Sequence, residues 1–568
     1  MNPKDGQAFQ VLDTLPEPHP DWYASDPAFQ AVVRRLLTPG ARDWIAPQLS
    51  KMGAAASLRV DPLSRIADRH SPTHRPYDAY GRRVDEIVHH PAYREMEAIA
   101  YGSGMVGLKY DPEVRHRFPA SGHVLGFSLG YLFAQAESGL YCPVCMTDGA
   151  ARVVERYGTP EQRARVIPRL AAHEPDHLWR GAMFLTEKQG GSDVGAAATR
   201  AERAEGEGWR LWGEKWFCSN VDAEAILTLA RPDGAPAGTK GLALFLVERP
   251  HGAPPPPGMR IERIKDKLGV RSMATGEVAF EGVAAQLMGP ADRGFKAMTV
   301  MINLSRLYNA VDSVAVARRA ALEATRYLRR RRSFGKRAAE HPLVREALAD
   351  LHAEQIAATH CVFQTAEHLD RADAGSQLDE RRVRLLTPMV KASTARLAVT
   401  ASSEAIELLG GNGFIEDFVT PRLLRDAQVL PVWEGTTNIL LLDMLRACEK
   451  ERAHTLVLED VRARCAPGAP GLEREAELVS GLAGALSDEL ESFFKAPTRP
   501  AAHLRRWADR LMLACSVATL VEGARSGGAA AELLAASARR LVRRHLEPHR
   551  DPLEADTAVL VDAAVLEG

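Results

Sequence analysis

Residues 184–196 read FLTEKQGGSDVGA, which is the strongest local signal in the sequence. Gly190 and Gly191 permit tight backbone curvature, while Thr186 and Ser192 supply small hydroxyl groups beside them. Glycine, serine and aspartate are also ordinary turn residues, so taken alone the stretch is a structural turn more often than a binding loop. Its surroundings favour a loop that cradles a ligand.

The sequence changes character on either side of this loop. Residues 26–180 carry apolar side chains at helical spacing, whereas residues 181–290 break into short alternating segments between Gly- and Pro-rich turns. Long helical patterns return after Gly294 and continue toward the carboxy terminus, interrupted by a loop at 465–471, CAPGAPG. The predicted fold class is α+β, mainly α, in the order helical, β, helical, helical.

Two further segments follow the loop in order. Residues 329–344 read RRRRSFGKRAAEHPLV at the end of a long predicted helix, and residues 407–438 read ELLGGNGFIEDFVTPRLLRDAQVLPVWEGTTN. With the T-E-x-x-x-G-S-D pattern of the first loop, they resemble the signatures of the acyl-CoA dehydrogenase superfamily, and the resemblance spans about residues 75–450. Within that superfamily the AidB-like, alkylation-response branch is the most similar, on YDAYGRRVDEIVHHPAY, CPVCMT, GEKWFCS and KDKLGVRS.

The resemblance implies an acyl-CoA dehydrogenase-like fold with an extra segment at the carboxy terminus. The expected domains are an α-helical domain over 1–180, a central β-barrel over 181–290, a four-helix α-bundle over 291–452 and an appended helical domain over 453–568.

The resemblance also implies FAD as the cofactor. It assigns to FAD the residues Met183, Leu185 and Thr186 at the flavin ring, Gly191 and Ser192 beside the phosphates, Phe217 against the flavin, Ser219 near N5, Arg331 at the pyrophosphate with Ser333 and Phe334 beside it, and Glu407, Gly410, Gly411, Trp433, Thr436 and Asn438 in the last signature. A pyrophosphate calls for a planar bidentate donor, which suits an arginine. The other three arginines of the run at 329–332 are interpreted as a solvated helix end.

Phe217 stands two residues before Ser219, where the family usually has tryptophan, and Trp216 lies one position earlier. Side chains alternate between the faces of a strand, so Phe217 and Ser219 share one face. We therefore expect Phe217 against the flavin and Trp216 in the barrel core.

The resemblance also implies Glu434 as the catalytic base, although a lone glutamate before Gly-Thr is ordinarily a surface or helix-capping residue. Removing the α-proton of a thioester needs a carboxylate in a dry pocket and a hydrogen-bond donor on the carbonyl oxygen, and Glu434 with its own backbone N–H would supply both. The β-hydrogen would leave as hydride to flavin N5, which gives a trans-2-enoyl-CoA. Arg306 matches a family arginine near the base, and Ser305 stands where some members have an alternative glutamate.

Composition excludes several other classes of protein. Lys and Arg total 72 against 73 Asp and Glu, so no bulk charge indicates nucleic acid or a membrane. The first thirty residues lack the apolar core of a secretion signal, and we expect a cytoplasmic protein without membrane spans. We expect no metal site, because Cys142 and Cys145 lack a second pair and the histidines lack ligand spacing.

The partners expected from the resemblance are an acyl-CoA substrate, an electron-transfer flavoprotein and further copies of the chain in a homotetramer. The alternative function is an AidB-like, DNA-associated flavoprotein with weak dehydrogenase activity. Ten arginines between Lys495 and Arg550 either form a solvated helix face or gather in one patch that binds duplex DNA weakly and without sequence preference. A relative that keeps FAD but turns over slowly is a third alternative.

Overall fold

The computed structural model describes residues 20–204, 206, 208–496, 503–547 and 553–565. It is mainly helical with one closed sheet and further helices at the carboxy terminus, so the expected fold class is confirmed. Residues 1–19, on which the expectation of no secretion signal rests in large part, lie outside the described residues. No helix within the described ranges is both long and apolar enough to cross a membrane.

The first part of the chain is helical, and its caps explain where several helices begin. Asp26, Thr38 and Thr159 each accept a hydrogen bond from a backbone N–H of the first turn, and each is followed by proline at the first helical position. The helices are α1 (Pro27–Leu36), α2 (Pro39–Ala55), α3 (Asp61–Arg69), α4 (Pro91–Gly102), α5 (Pro112–Arg117), α6 (Gly122–Ala134), α7 (Tyr141–Tyr157) and α8 (Pro160–Leu170).

A β-hairpin interrupts these helices where the sequence predicted mostly helix. Its strands are β1 (Thr73–Tyr77) and β2 (Arg83–Val88), paired antiparallel. Ile87 joins the hydrophobic core of the barrel, and the Asp85 carboxylate accepts a hydrogen bond from the Ile261 N–H at 3.1 Å. The hairpin therefore packs against the barrel.

The barrel occupies the stretch in which strands were predicted. Its strands are β3 (Gly181–Phe184), β4 (Arg200–Arg203), β5 (Trp209–Ser219), β6 (Ala225–Pro232), β7 (Ala243–Glu248), β8 (Met259–Ile264) and β9 (Thr275–Leu287). They run in the order β3-β6-β4-β5-β9-β7, β7 also pairs with β6 to close the ring, and β8 pairs with β9. Alternate side chains fill the interior, among them Phe184, Trp209, Phe245 and Phe280.

Long helices follow the barrel. The first three are α9 (Gly294–Arg330), α10 (Pro342–Asp373) and α11 (Gln377–Leu409), and α10 packs against α11. A short hairpin of β10 (Arg332–Ser333) and β11 (Lys336–Arg337) separates α9 from α10. The remaining helices are α12 (Gly411–Phe414), α13 (Thr420–Ala427), α14 (Thr437–Glu451), α15 (Ala453–Arg464), α16 (Glu473–Lys495), α17 (His503–Arg525), α18 (Ala531–Leu546) and α19 (Glu554–Asp562).

The chain forms two compact units. One contains residues 59–117 and 137–308, and therefore the barrel; the other contains residues 1–58, 118–136 and 309–568, and therefore most of the bundle. Within the second unit the last helices are tied to the bundle, since the Arg329 guanidinium donates hydrogen bonds to the carbonyls of Val561, Asp562 and Val565. Arg329 is thus a structural link and is not part of a solvated helix end.

Candidate functional site

The signature loop of the barrel unit begins at the end of β3. Ala182 and Phe184 lie in the barrel core, while Met183, Leu185 and Thr186 are half-buried. The Thr186 carbonyl accepts a hydrogen bond from the Trp216 N–H at 2.9 Å, which joins the loop to β5. Met183 therefore lies on the side of β3 that faces away from the core, and Leu185 and Thr186 follow the strand.

Glycine is required in this loop for two different reasons. Gly190 has a φ of 118°, a backbone conformation that other residues rarely adopt. At Gly191 a Cβ atom would come within 2.6 Å of the Thr186 hydroxyl oxygen. Gly191 and Ser192 are both exposed, which leaves their backbone open to a ligand.

A buried ion pair that the sequence analysis missed supports the loop. Glu187 accepts hydrogen bonds from Lys215 Nζ at 2.8 Å, Thr199 Oγ1 at 2.6 Å and the Ala198 N–H at 2.7 Å. Burial by itself would raise the pKa of Glu187, but the Lys215 ammonium and these hydrogen bonds lower it to about 2. The signal was present as a glutamate in the loop and a lysine at an inward position of β5.

We predict that Lys215→Met destabilises the barrel unit strongly. The Lys215 side chain is 0% exposed and that of Glu187 is 5% exposed, so removing the lysine leaves a buried, uncompensated carboxylate. Breaking such a pair costs about 3–5 kcal/mol, which chemical denaturation of the purified protein would measure. The double variant Glu187→Gln/Lys215→Met leaves no charge and should recover part of the loss; no recovery would contradict the explanation.

The pH dependence provides a control for the same pair. The pKa of Glu187 falls from 4.5 to about 2 on folding, so its contribution is present above pH 4.5 and is lost as pH falls toward 2. Acid should therefore destabilise the wild type more steeply over this window than it destabilises Glu187→Gln. Equal slopes would show that the carboxylate contributes little.

Trp216 does not lie in the barrel core, so that expectation is wrong. The pairing of β5 with β9 shifts register between Lys215 and Cys218, and this irregularity breaks simple alternation. Lys215 and Cys218 are buried, whereas Trp216 is half-buried with Lys265 Nζ 3.6 Å from its ring centroid. Phe217 is 53% exposed, and Ser219 is half-buried. Exposure of Phe217 is compatible with the predicted flavin contact.

Arg306, the second catalytic candidate, lies on α9 in the barrel unit. It is buried, and its Nη1 donates a hydrogen bond to Asn303 Oδ1 at 3.1 Å. The neighbouring Ser305 hydroxyl donates to the Met301 carbonyl one turn earlier, at 2.9 Å. Glu434 belongs to the bundle unit.

In the bundle unit Arg331 lies beside the glycine turn that ends α11. Its Nη1 donates a hydrogen bond to the Leu409 carbonyl at 3.1 Å, and Gly410 has a φ of 67°. Ser333 and Phe334 lie on the short hairpin next to Arg331, and the Phe334 side chain is 97% exposed with a φ of 49°. The structure thus brings together Arg331 and the turn. Glu407 and Gly411 are exposed on the same turn of chain.

Glu434 follows α13 in a tight loop. It is half-buried and has a φ of 55°, and Gly435 after it has a φ of 95°. A left-handed conformation costs a residue with a side chain about 1–3 kcal/mol and is often found at functional sites. The indole Nε1 of Trp433 is buried without a hydrogen-bond partner among the described residues. The loop therefore combines a strained backbone at Glu434 with an indole donor that no described residue satisfies.

Two buried side chains that were not predicted from the sequence donate hydrogen bonds to backbone carbonyls of this loop. Lys391 on α11 donates hydrogen bonds to the carbonyls of Trp433 and Gly435, each at 2.7 Å. Asn309 on α9 donates to the Leu430 carbonyl at 3.1 Å. A single lysine within the apolar run LLTPMVKASTARLAV was the available signal for Lys391.

The last predicted contacts lie at the start of α14. Thr436 is exposed at its N-cap position. Asn438 Oδ1 accepts a hydrogen bond from Arg505 on α17 at 3.0 Å, a contact that the sequence did not predict.

The comparisons with known proteins agree with this architecture. Family models match residues 16–177 (adaptive response protein AidB, N-terminal domain), 182–283 (acyl-CoA dehydrogenase, middle domain) and 292–448 (acyl-CoA dehydrogenase, C-terminal domain). Acyl-CoA dehydrogenase family member 11 of Caenorhabditis elegans is 35% identical over 78% of this chain and 72% of its own. The chain belongs to the acyl-CoA dehydrogenase family. The predicted resemblance is therefore confirmed.

Two further relatives extend this assignment. The putative acyl-CoA dehydrogenase AidB of Escherichia coli (strain K12) is 34% identical over 77% of this chain and 80% of its own. The crystal structure of Caenorhabditis elegans ACDH-11 in complex with C11-CoA has a TM-score of 0.88 at 30% identity, and 96% of each chain is covered. The family is FAD-dependent, so the protein is an FAD-dependent oxidoreductase with FAD as its cofactor.

Two of the carboxy-terminal arginines that the structure describes are engaged in ion pairs within the protein. Arg540 is buried and forms ion pairs with Glu346 and Asp350 of α10, and Arg539 forms ion pairs with Glu532 and Asp556. These contacts occupy side chains that the DNA-binding hypothesis needs on one surface. Arg499 and Arg550, which belong to the same predicted stretch, lie outside the described residues.

No metal site emerges from the described part of the chain, where no three His, Cys, Asp or Glu side chains gather in a way that could hold an ion. Cys142 and Cys145 lie on α7, the first half-buried and the second buried.

Proposed function

We propose that the protein catalyses α,β-dehydrogenation of an acyl-CoA thioester to the trans-2-enoyl-CoA, with Glu434 as the base. The conformation of Glu434 carries this proposal. A half-buried glutamate with a backbone φ of 55° persists only where its surroundings enforce this conformation. Lys391 and Asn309 donate hydrogen bonds to the backbone carbonyls around it. Such preorganisation is expected of a catalytic group.

The proposed roles of the chain's own groups follow from proton and electron balance. The Glu434 carboxylate takes the α-proton, and the electron pair of that C–H bond becomes the new C=C bond. The β-hydrogen departs with its two electrons, and bound FAD supplies the acceptor at flavin N5. The Glu434 N–H would donate to the thioester carbonyl, where negative charge develops, and Arg306 would act near the base.

Several observations support the assignment of residues to FAD. On the barrel unit, Met183, Leu185 and Thr186 present half-buried side chains for the flavin ring, and Gly191 and Ser192 leave backbone exposed for the phosphates. Phe217 and Ser219 follow on β5, both outside the core cluster.

The bundle unit carries the remaining residues that we assign to FAD. Arg331 offers a planar bidentate donor beside Gly410 and Gly411, and the Trp433 Nε1 offers a buried donor without a partner among the described residues. Thr436 and Asn438 would face the adenosine part at the start of α14. Glu407, Ser333 and Phe334 would complete this group at its exposed edge.

We further propose a homotetramer in which the Arg331 segment and the glycine turn complete the FAD site of a neighbouring copy. Phe334 is 97% exposed and Phe414 is 79% exposed, and both lie on these segments. Large apolar side chains this exposed are expected at an interface with another chain. The proposed electron acceptor is an electron-transfer flavoprotein.

The domain boundaries at 180, 290 and 452 are retained as part of the proposal. They place a helical domain before the barrel, the bundle after it and the helices α15–α19 in an appended segment.

The direct test is anaerobic mixing of the yellow holoprotein with a panel of acyl-CoA thioesters of different chain lengths. We expect at least one to bleach the flavin absorbance and to give the trans-2-enoyl-CoA in an amount equal to the flavin reduced. A panel that includes straight and branched chains and leaves the flavin oxidised throughout would refute the proposed function. The C11-CoA bound by the Caenorhabditis elegans relative makes a medium-length chain the first choice.

A further inference from the structure

The loop that presents Glu434 rests on a charged side chain. Lys391 is 0% exposed, and its Nζ donates to the carbonyls of Trp433 and Gly435, the residues on either side of Glu434. Both distances are 2.7 Å, which is short for a nitrogen donor and is characteristic of charge-assisted hydrogen bonds. One ammonium therefore binds the backbone on both sides of Glu434.

A neutral donor would be sufficient if this contact served only to hold the loop. Asn309 does so a few residues earlier, where its amide donates to the Leu430 carbonyl at 3.1 Å. Burying an ammonium carries a desolvation cost of several kcal/mol, and lysine is almost never fully buried unless it is paired. A charged donor also polarises the carbonyl that it binds more strongly than a neutral amide does.

Peptide geometry indicates what that role is. The Trp433 carbonyl and the Glu434 N–H belong to one planar peptide, and in a trans peptide these two groups point in opposite directions. No peptide bond in the described residues is cis. The bond from Lys391 to the carbonyl consequently fixes the direction in which the Glu434 N–H points, away from the ammonium.

The charge also changes the strength of that N–H as a donor. A hydrogen bond to the carbonyl polarises the peptide, and hydrogen bonds in a chain strengthen one another in a medium of low dielectric constant. The second bond from Lys391, to the Gly435 carbonyl, fixes the peptide between Gly435 and Thr436. This peptide follows Glu434 and Gly435, whose φ angles are 55° and 95°. The backbone of Glu434 thus lies between two peptides that Lys391 binds.

We propose that Lys391 is a positioning residue for the reaction, which orients and polarises the Trp433–Glu434 peptide so that its N–H stabilises the negative charge on the thioester oxygen. The inference rests on the proposed function of Glu434. Lys391 acts through the backbone and does not touch the substrate. Through this peptide, a side chain of helix α11 would increase the acidity of the substrate's α-proton.

The test uses a thioester in which sulfur replaces the β-carbon, such as a 3-thiaacyl-CoA. This ligand can lose its α-proton to Glu434, with the electron pair delocalised onto the thioester oxygen, but it has no β-hydride to transfer. Its ionised form gives a long-wavelength absorption band with the oxidised flavin of the holoprotein. The pH at which the band appears therefore reports polarisation of the carbonyl separately from hydride transfer.

We expect Lys391→Met to retain FAD and to bind the ligand within about threefold of wild type, and to ionise it only at a pH about one to two units higher. Flavin bleaching by a true substrate should slow about 10- to 100-fold, less than the roughly 10²–10³-fold effect of removing an oxyanion donor outright. Lys391→Arg keeps the charge and should recover part of both effects.

Thr394→Val is the matched control. Thr394 lies one turn further along α11, is fully buried and donates its hydroxyl to the Val390 carbonyl of its own helix at 2.7 Å. This variant should ionise the ligand and bleach as wild type does. If it behaves like Lys391→Met instead, the effect belongs to helix packing and the inference is overturned.

The remaining outcomes are also decisive. If Lys391→Met does not fold or loses FAD, Lys391→Gln supplies neutral donors, and a wild-type ionisation pH in that variant would show that charge is not needed. Wild-type behaviour of Lys391→Met overturns the inference directly. If the wild type neither ionises the ligand nor bleaches with any substrate, or if Glu434→Gln behaves as the wild type, the proposed function has failed before Lys391 is considered.

Discussion

Glu434→Gln should keep its FAD and bind acyl-CoA, yet bleach the flavin at least ~10²-fold more slowly than the wild type, with general-base catalysis contributing up to ~10⁴-fold. The amide has nearly the size of the carboxylate and leaves the backbone N–H in place, but it cannot accept the α-proton. The measurement is single-turnover bleaching in an anaerobic stopped-flow instrument, at substrate concentrations that saturate both proteins.

The control for this variant is another carboxylate of the bundle unit. Glu404 on α11 is half-buried, and burial raises its pKa, so Glu404→Gln changes a carboxyl group of similar character. It should bleach at the wild-type rate. Undiminished bleaching in Glu434→Gln would remove Glu434 as the base.

The order of helical and β segments could be predicted from the sequence because it depends on patterns that repeat, whereas the barrel and the bundle were implied by the family resemblance. Apolar spacing changed from helical to alternating at residue 181 and back after Gly294, and the structure changes at these places. The hairpin of β1 and β2 escaped because it is short and is stabilised by long-range contacts, such as that between Asp85 and Ile261. Such contacts leave no periodic trace in a single sequence.

The motifs likewise located the loops of the candidate site but not the groups that support them. Lys215 and Lys391 are buried lysines far in sequence from the partners that they bind, Glu187 and the carbonyls of the Glu434 loop. A lysine in a mostly apolar segment is ordinarily expected to reach solvent, and only the three-dimensional structure shows that these two do not. Trp216 was misplaced for a related reason, because the register shift in β5 cannot be recognised from alternation alone.

Arg331→Ala should weaken FAD binding about 10- to 100-fold, since a hydrogen bond to a charged group contributes about 1.5–3 kcal/mol. The guanidinium lies beside the glycine turn, where its Nη1 reaches the Leu409 carbonyl at 3.1 Å, and it presents a fork that matches a pyrophosphate. FAD content of the purified variant and titration of the apoprotein with FAD would measure the loss.

Two variants and an assembly measurement separate cofactor binding from local structure. Arg332 is exposed and adjacent in sequence, so Arg332→Ala removes a like charge from the same hairpin and should keep FAD at the wild-type level. Arg331→Lys keeps the charge but loses the bidentate fork, and it should bind FAD with intermediate affinity. If a neighbouring copy shares the site, sedimentation of wild-type protein stripped of FAD should show smaller species that reassemble when FAD returns. A monomer that holds FAD normally, or an Arg331→Ala variant with unchanged FAD affinity, would exclude a cofactor site completed across the subunit boundary by this arginine.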